Sequence, residues 1–286
     1  MRFIYSSDIH GDEEKYEKLL QVALKGNYNN IVLGGDLLPK INITYELQKG
    51  FVNGYLKEYF KKLQEKNINC LCILGNDDFE PVDKDFDNLC SSFPNVFNID
   101  KSQHSIEDCS FIGLSTVLDH PFGRKNNVAI EKGFEIQKQL GQPQMLINGQ
   151  IYFIDDWENF AKRHLRNMED ILKELPEPES GKKCIYVFHM PPQNLNLGIT
   201  GRGLSVGSMA IYKFLEKKQP FMSLHGHIHE SPGMSGIWQA KLGNTTVIQG
   251  GQSELYKGNC VYMTIDTEKE ICERYTDKVN NRPFYR

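Results

Sequence analysis

The stretch RFIYSSDIHGDEEKYEKLLQVALKGNYNNIVLGGD, residues 2–36, decides the fold class of this chain. It predicts a strand over Arg2–Ser7, a helix over Glu13–Lys25 and a second strand over Asn30–Gly35, because two short apolar runs flank a segment with helical spacing of its apolar residues. A long amphipathic helix and a third strand follow, over Thr44–Lys66 and Asn69–Leu74. This βαβαβ order predicts a parallel sheet with right-handed crossovers.

The rest of the chain predicts shorter strands, two further helices and one irregular segment. The strands fall at Val96–Ile99, Gln103–Ile106, Ser110–Ser115, Lys183–Phe188 and Pro220–Leu224, with antiparallel strands within Ala240–Gln249 and Asn259–Tyr275. The helices fall at Trp157–Leu175 and Val206–Lys217. Residues Thr116–Asp156 have poor periodicity and are predicted to be an irregular insertion. Together these elements fit an α/β (α+β) architecture, a sandwich of two mixed sheets flanked by helices.

Composition and charge argue against several classes of protein. Of the 286 residues, 40% are hydrophobic and 24% are charged, which allows a buried core in a soluble chain. No linker or repeat divides the sequence, so residues 1–286 are predicted to form one domain. The net charge of −4 argues against a nucleic-acid partner. No apolar segment is long enough to span a membrane. Seven cysteines without a CxxC pair, and no secretory signal, predict a cytoplasmic protein.

Five short polar clusters occur in a fixed order, each at the end of an apolar, β-branched run. They are Asp8-Ile9-His10-Gly11, Gly35-Asp36, Gly75-Asn76-Asp77-Asp78, His189 in FHMPP, and His227-Ile228-His229 in HGHIH. Ligand sites gather at the carboxyl ends of strands in open α/β sheets, so the clusters are predicted to converge. The first three clusters, each taken alone, are also typical of a turn or a helix cap, whereas two histidines in the spacing of HGHIH have few structural uses. The series of five is what favours a metal site.

The residue types in these clusters indicate which metals would bind. Asp8 and His10 are two residues apart, and an extended chain leaving the strand would point both side chains the same way. Carboxylate and imidazole ligands suit Mn²⁺, Fe or Zn²⁺, with Ni and Co as alternatives, better than Ca²⁺. An aspartate placed between two ions can bridge them. We therefore predict a centre for two divalent transition-metal ions.

The ordered motifs resemble those of the calcineurin-like metallophosphoesterase superfamily, in particular a small prokaryotic-type branch. The shared stretches, besides GND, are HxPP, VGS and HGHIHES, here His189–Pro192, Val206–Ser208 and His225–Ser231. The resemblance implies a four-layer α/β/β/α sandwich and two metal ions. One ion would be held by Asp8, His10, Asp36 and His229, and the other by Asp36, Asn76, His189 and His227. It also implies that the ions activate a hydroxide and clamp a phosphoryl group for in-line attack.

Two departures from the family pattern affect the expected chemistry. Many members carry a histidine after the motif asparagine, where this chain has Asp77. An ionised aspartate cannot donate a proton to a leaving group, although burial or a nearby carboxylate would raise its pKa. The candidate catalytic residues are Asp36, Asn76 and Asp77. The sequence does not decide which group acts as the general acid. The second departure replaces an Asn-Pro-Gly-Ser turn by Gln249-Gly250-Gly251-Gln252, and glycine serves the same tight turn.

Other polar residues have weaker functional signals. His225 shares the face of His227 and His229 in an extended chain, and support or core packing is favoured over ligation. Arg124 and Arg202 are candidate substrate-binding residues. They and Lys125 could each clamp a phosphate, while a solvated loop cation is at least as good an alternative for each of them. Phe122 in the irregular insertion is a further candidate contact. The remaining histidines are read as ordinary: His104, His120 and His164.

The sequence supports one leading function and two alternatives. The leading function is a metal-dependent phosphohydrolase, a phosphatase or phosphodiesterase that cleaves a small phosphorylated substrate. The first alternative is a catalytically weak metal-binding scaffold for a protein partner, which Asp77 favours and the complete ligand set opposes. The second is a nuclease, which the acidic balance opposes. The sequence leaves the substrate, the native metals and the oligomeric state open.

Overall fold

The computed structural model describes residues 1–40, 44–133, 135–147, 150–252 and 258–279. Eight α-helices occur in these ranges, at α1 (Glu13–Gly26), α2 (Tyr45–Phe51), α3 (Lys57–Glu65), α4 (Asp83–Ser91), α5 (Trp157–His164), α6 (Met168–Lys173), α7 (Met209–Lys218) and α8 (Ser231–Ser235). The strands are β1 (Arg2–Ser6), β2 (Asn30–Gly34), β3 (Asn69–Ile73), β4 (Val96–Asn98), β5 (Gln103–Ile106), β6 (Cys109–Leu114), β7 (Val117–Leu118), β8 (Val128–Ala129), β9 (Gln144–Ile147), β10 (Gln150–Phe153), β11 (Lys183–Phe188), β12 (Met222–His225), β13 (Gln239–Leu242), β14 (Thr245–Gln249), β15 (Asn259–Asp266) and β16 (Ile271–Lys278).

Two six-stranded mixed sheets form the body of the protein. The first has the order β16-β15-β1-β2-β3-β4, in which β1 to β4 are parallel and β15 runs antiparallel to β1. The second has the order β13-β14-β12-β11-β6-β5, with β14, β12, β11 and β6 parallel. The parallel βαβαβ unit predicted from residues 2–74 is confirmed. Each of its strands contains a buried apolar run, because both faces of the sheet are covered.

The buried residues divide into three layers of packing. One group lies between the two sheets and includes Phe3 and Val32 from the first and Phe111 and Val187 from the second. A second group fills the space between the first sheet and α1 to α4. A third group packs the second sheet against α6 and α7. The four-layer α/β/β/α sandwich is therefore confirmed.

Several predicted helix boundaries change in the structure. The predicted helix Thr44–Lys66 is continuous but contains a π-helical turn at Val52–Leu56 between α2 and α3. The single helix predicted over Trp157–Leu175 is wrong, because the chain is extended at Leu165 and residues 166–168 pair with Ile130 of the insertion. Helix α7 starts at Met209, after its N-cap Ser208, and the predicted start at Val206 is too early. Helix α4 was not predicted.

The segment Thr116–Asp156 contains more regular structure than its sequence predicts. Strands β7 and β8 form a short parallel pair, and β9 and β10 form an antiparallel hairpin. Glu131 joins the segment to α7, since its carboxylate accepts hydrogen bonds from Ser208 Oγ (2.7 Å) and from the Ala210 amide (2.9 Å). The segment is thus tied to the second sheet. The assignment of residues 1–286 to one domain stays a prediction.

No helix in the described ranges has both the length and the apolar character that crossing a membrane requires.

Candidate metal centre

The loops that follow β1 and β2 run side by side at one edge of the first sheet. The Asp8 amide donates to the Gly35 carbonyl (2.9 Å), and the His10 amide donates to the Asp36 carbonyl (2.9 Å). Gly35 has a φ of 101°, and a Cβ there would lie 2.4 Å from His189 Nδ1. Only glycine allows the His189 ring to approach the Asp36 loop this closely. The parallel pairing of β1 and β2 thus continues into the site.

Four of the predicted ligands adopt a left-handed backbone. The φ angles of Asp8, His10, Asp36 and His227 lie between 52° and 67°. The expectation that Asp8 and His10 leave the strand in an extended conformation is therefore wrong. Each such residue costs about 1 kcal/mol, and such strain is concentrated at functional sites. The strained turns let side chains from one short loop point to one place.

The first ligand cluster contains Asp8, His10, Asp36 and His229, whose ligand atoms all lie within 4.8 Å of one another. His229 Nε2 is 3.2 Å from Asp8 Oδ1 and 3.1 Å from His10 Nε2. His10 Nε2 is 3.8 Å from Asp36 Oδ2. These four residues are the ones predicted for the first ion.

The second cluster contains Asp36, His189 and His227. His189 Nε2 lies 3.3 Å from Asp36 Oδ2 and 3.9 Å from Asp8 Oδ1. Asp36 belongs to both clusters, as a bridging ligand must. The structure therefore brings six of the seven predicted ligands together. Their role as ligands stays a prediction.

The chemistry of the donor atoms fits cations. His189 Nδ1 lies 2.9 Å from the Gly34 carbonyl and donates to it. If the ring were neutral, its Nε2 would be an acceptor that faces the acceptor oxygens of Asp36. Burial alone lowers the pKa of His189, but the charges of Asp36 and Asp8 raise it to about 10. The site therefore favours positive charge between these groups, which a divalent ion would supply when these residues hold it.

Asn76 and Asp77 lie against Asp36 on the loop after β3. The Asp77 amide donates to Asp36 Oδ1 (2.8 Å), which fixes this loop on the shared carboxylate. Asn76 is 4% exposed, and its Oδ1 is buried without a hydrogen-bond partner in the described part of the chain. An unpartnered buried oxygen is costly unless a cation or a donor reaches it. The role of Asn76 as a metal ligand stays a prediction, which its unpartnered Oδ1 fits.

Asp78 was not singled out by the sequence analysis, although it holds two loops together. Its fully buried carboxylate accepts hydrogen bonds from the amides of Leu37 (3.1 Å), Leu38 (2.8 Å) and Gly75 (2.8 Å). The loop that carries Asp36 and the loop that carries Asn76 are therefore tied to one side chain. The signal was available, because an aspartate after a Gly-Asn turn is typical of such caps.

The HGHIH loop is held by Asp8 on one side and by Gln249 on the other. The His227 amide donates to Asp8 Oδ1 (3.0 Å), and Ser7 Oγ donates to Asp8 Oδ2 (2.6 Å). Gln249 Nε2 donates to the carbonyls of Gly226 (2.9 Å) and Ile228 (2.7 Å). The Gln249–Gln252 turn therefore does more than reverse the chain, since its first side chain also braces the histidine loop.

His225 supports the strand end that carries His189. Its Nδ1 lies 3.0 Å from the Phe188 carbonyl and 2.8 Å from the Met190 carbonyl, and its Nε2 lies 2.8 Å from Ser223 Oγ. Burial lowers the pKa of His225 to about 4, so the ring is neutral. These contacts fit the supporting position that the sequence analysis favoured.

The insertion reaches the second ligand cluster through two aromatic rings. The Phe122 ring lies 5.9 Å from the His227 ring. The His120 ring stacks on the same His227 ring, with the ring centroids 6.3 Å apart. His120, which the sequence offered no reason to single out, therefore lies next to the second ligand cluster, and no role there is assigned to it. Its signal is weak in the sequence because no motif surrounds it and the insertion has no clear period. His104 stacks on Phe97, and His164 ends α5.

Two cations stand on the side of His10 and Asp77. Arg124 Nη1 lies 4.0 Å from Asp77 Oδ1, and its Nη2 donates to the Lys40 carbonyl (3.3 Å). Lys40 Nζ lies 3.3 Å from His10 Nε2. The sequence analysis identified Arg124 but not Lys40.

Arg202, the other predicted substrate contact, is exposed on the loop Thr200–Ser205. Glu230 and Ser231 of the HGHIHES stretch hold this loop through the amides of Gly201 (2.7 Å) and Ile199 (3.0 Å). Substrate contact by Arg124, Arg202 and Phe122 stays a prediction. For Lys125 both alternatives are wrong, because its side chain is fully buried and its Nζ lies 2.6 Å from Asp119 Oδ1.

Comparison with solved structures supports the fold. The crystal structure of the protein TT1561 of Thermus thermophilus is 17% identical, covers 98% of this chain and 99% of that chain, and superposes with a TM-score of 0.56. Weaker similarity links the chain to a novel archaeal phosphodiesterase, at 13% identity, 96% and 99% coverage and a TM-score of 0.44. YfcE, a phosphoesterase from E. coli, is 13% identical at 98% and 100% coverage, with a TM-score of 0.40. At 17% identity, the similarity to TT1561 supports the fold alone.

Comparison with curated proteins gives no match. The profile of calcineurin-like phosphoesterases, however, matches residues 1–231, a range that contains β1 to β3, β11, β12 and all seven predicted ligands. The agreement of this match with the fold and with the two ligand clusters identifies the chain as a member of the calcineurin-like phosphoesterase family.

Proposed function

We propose that this protein is a phosphohydrolase with a dinuclear metal centre that cleaves a small phosphomonoester or phosphodiester in the cytoplasm. The observation that carries the proposal is the pair of ligand clusters that share Asp36. Mn²⁺, Fe and Zn²⁺ suit their carboxylate and imidazole donors. When bound, two such ions would activate a water molecule and neutralise the charge of a phosphoryl group.

The residues of this chain have separable parts in that reaction. Asp36 would be a ligand of both ions. Its Oδ1 accepts a 2.8 Å hydrogen bond from the Asp77 amide, which fixes the carboxylate. Asn76 would add a neutral oxygen ligand to the second ion. Burial and the charge of Asp36 raise the pKa of Asp77 to about 6, so its carboxyl is mostly ionised at neutral pH. Asp77 is therefore a weak source of protons at neutral pH, because only a minor fraction of its carboxyl groups is protonated.

A screen of phosphorylated metabolites with the Mn²⁺-loaded protein tests the function. We expect turnover of at least one small monoester or diester, loss of turnover with a chelator, and recovery on adding Mn²⁺. The exposed-residue variant Asp170→Asn serves as the control, because its side chain pairs with Lys173 on the surface of α6. Two bound ions without any turnover would favour the scaffold alternative instead.

Asp77 is expected to narrow the range of leaving groups. Basic alkoxide leaving groups need a proton, and general-acid help is worth about 10²–10⁴-fold. Aryl phosphates leave without that help. We expect much slower hydrolysis of simple alkyl phosphates than of p-nitrophenyl phosphate, and we expect Asp77→His to raise the alkyl rate more than the aryl rate. Rates of both classes should be compared under single-turnover conditions.

The matched control for this comparison is Asp77→Asn. It removes the charge of the carboxylate but adds no group that donates a proton at neutral pH. It should therefore leave the ratio of alkyl to aryl rates closer to the wild type than Asp77→His does. Equal rates for alkyl and aryl phosphates in the wild type would contradict the role assigned to Asp77.

A further inference from the structure

Two cations flank Asp77 on the side of the first ligand cluster. Lys40 Nζ lies 3.3 Å from His10 Nε2, the nitrogen that faces His229 and Asp36. Arg124 Nη1 lies 4.0 Å from the Asp77 carboxylate. A phosphoryl oxygen held next to this cluster would lie within the short reach of the Lys40 ammonium.

The structure fixes the backbone next to Lys40 and the side chain of Arg124. Gln48 of α2 is fully buried, and its Nε2 donates to the carbonyls of Pro39 (3.0 Å) and Asp77 (2.9 Å). It thereby ties the residue before Lys40 to Asp77. The Arg124 guanidinium also packs over the Phe79 ring at 5.6 Å, and its Nη2 donates to the Lys40 carbonyl.

The backbone of Arg124 is fixed from the other side as well. Its neighbour Lys125 is fully buried, and the Lys125 amide donates to the Gln144 carbonyl (2.9 Å). An arginine placed in this way loses little conformational entropy when it binds an anion. Arg124 is thus held by contacts with the rest of the fold, unlike a solvated loop cation.

The charges answer the problem that Asp77 creates. The acidic side chain of Asp77 lies next to Arg124 and close to the proposed phosphoryl site. Lys40 and Arg124 add two positive charges around it, so the local balance becomes favourable for an anion. A phosphomonoester dianion has more charge and one more unsubstituted oxygen than a diester. The gain from two cations is therefore larger for the monoester.

Resting on the proposed function, we propose that Lys40 and Arg124 form an anion-binding pair that holds the unesterified phosphoryl oxygens and makes the site selective for phosphomonoesters over diesters. Both residues bind substrate through charge-assisted hydrogen bonds. The insertion is thus a specificity element, since it delivers Arg124 to the face of the site where Asp77 lies.

The variants Lys40→Met, Arg124→Gln and their combination test this pair. Calorimetry measures the binding of inorganic phosphate to the Mn²⁺-loaded protein, after metal content has been determined for each variant. We expect unchanged metal content and about 10-fold weaker phosphate binding for each single variant, since a charged hydrogen bond is worth that much or more. The controls are Lys61→Met on α3 and Arg163→Gln on α5, both exposed and outside the site.

Hydrolysis of p-nitrophenyl phosphate and bis(p-nitrophenyl) phosphate supplies the second measurement. The two esters share one leaving group, so any role of Asp77 in its departure cancels. We expect kcat/KM for the monoester to fall by about 10-fold in each single variant, and for the diester to fall less. Phosphate binding like that of the wild type, an equal fall for both esters, or a loss of metal from the variants would each overturn the inference.

The two proposals fail in different ways. If the Mn²⁺-loaded wild type hydrolyses neither ester nor any screened metabolite, the proposed function is wrong. In that case the phosphate-binding measurement still decides whether Lys40 and Arg124 form an anion site. If the wild type is active and phosphate binding does not depend on either residue, the anion-binding pair is wrong and the function stands.

Discussion

Replacement of Asp36 by asparagine is expected to abolish both metal binding and activity. Asp36 is the one carboxylate common to the two ligand clusters, and its Oδ2 lies 3.3 Å from His189 Nε2 and 3.8 Å from His10 Nε2. An amide lacks the charge that bridges two cations. Loss of groups that only support metal ligands costs about 10–100-fold in affinity or activity, so loss of the shared ligand should cost more than about 10²-fold.

The measurement is metal content by mass spectrometry together with turnover of the substrate found in the screen. We expect up to two ions per chain in the wild type and nearly none in Asp36→Asn. The side chain is only 1% exposed, so circular dichroism should accompany the assay to show that the variant folds. Asp170→Asn, on the surface of α6, should keep both metal and activity. Full metal occupancy and normal turnover in Asp36→Asn would remove the assignment of a shared ligand.

The second large effect concerns a buried ion pair that anchors the insertion. Lys125 and Asp119 are both fully buried, with Nζ 2.6 Å from Asp119 Oδ1 and 2.6 Å from the His120 carbonyl. Trp157 Nε1 donates to the other Asp119 oxygen (2.7 Å). Breaking such a pair by removing one partner leaves an uncompensated buried charge and costs about 3–5 kcal/mol.

Asp119→Asn is therefore expected to lower the free energy of unfolding by about 3 kcal/mol or more, and Tm by about 10 °C. The asparagine keeps an acceptor for Trp157, so the lost charge is the main change. Lys125→Met should destabilise the wild type but stabilise the Asp119→Asn variant, because it removes the unpaired ammonium. The same effect in both backgrounds would show that the two residues act independently.

The pH dependence gives a further check on the same pair. Burial lowers the pKa of Lys125 from its ordinary value of 10.5, and Asp119 opposes this shift. Without Asp119 the folded-state pKa should fall further. The unfolded chain then binds more protons than the folded chain below pH 10.5, so stability should rise with pH in that range. We expect the deficit of Asp119→Asn to shrink between pH 7 and pH 10 in thermal unfolding experiments.

The Asp119–Lys125 pair also matters for the metal centre, because it holds the insertion in place beside the ligands. Phe122 and Arg124 come from the turn that this ion pair closes, and Glu131 fixes the next part of the segment to α7. Loss of the Asp119–Lys125 pair should therefore also weaken phosphate binding through Arg124. We therefore expect stability and phosphate binding to change together when this pair is broken.

The sequence by itself determined the fold class and the set of residues that converge. Apolar runs alternating with helical spacing predicted the parallel βαβαβ unit, because strand and helix periods are local properties of the chain. The position of Asp8, Asp36, Asn76, His189 and His227 at strand ends then predicted one site, because parallel strands end at a common edge. Local signals sufficed for these features.

Only the tertiary structure decided how the side chains are aimed and supported. The left-handed turns at Asp8 and Asp36, the break after α5 and the order within Thr116–Asp156 depend on partners far away in the sequence. The approach of Lys40, Arg124 and His120 to the ligands depends on them too. The physical reason is that these positions are set by packing and by long-range hydrogen bonds, which leave no periodic pattern in the chain.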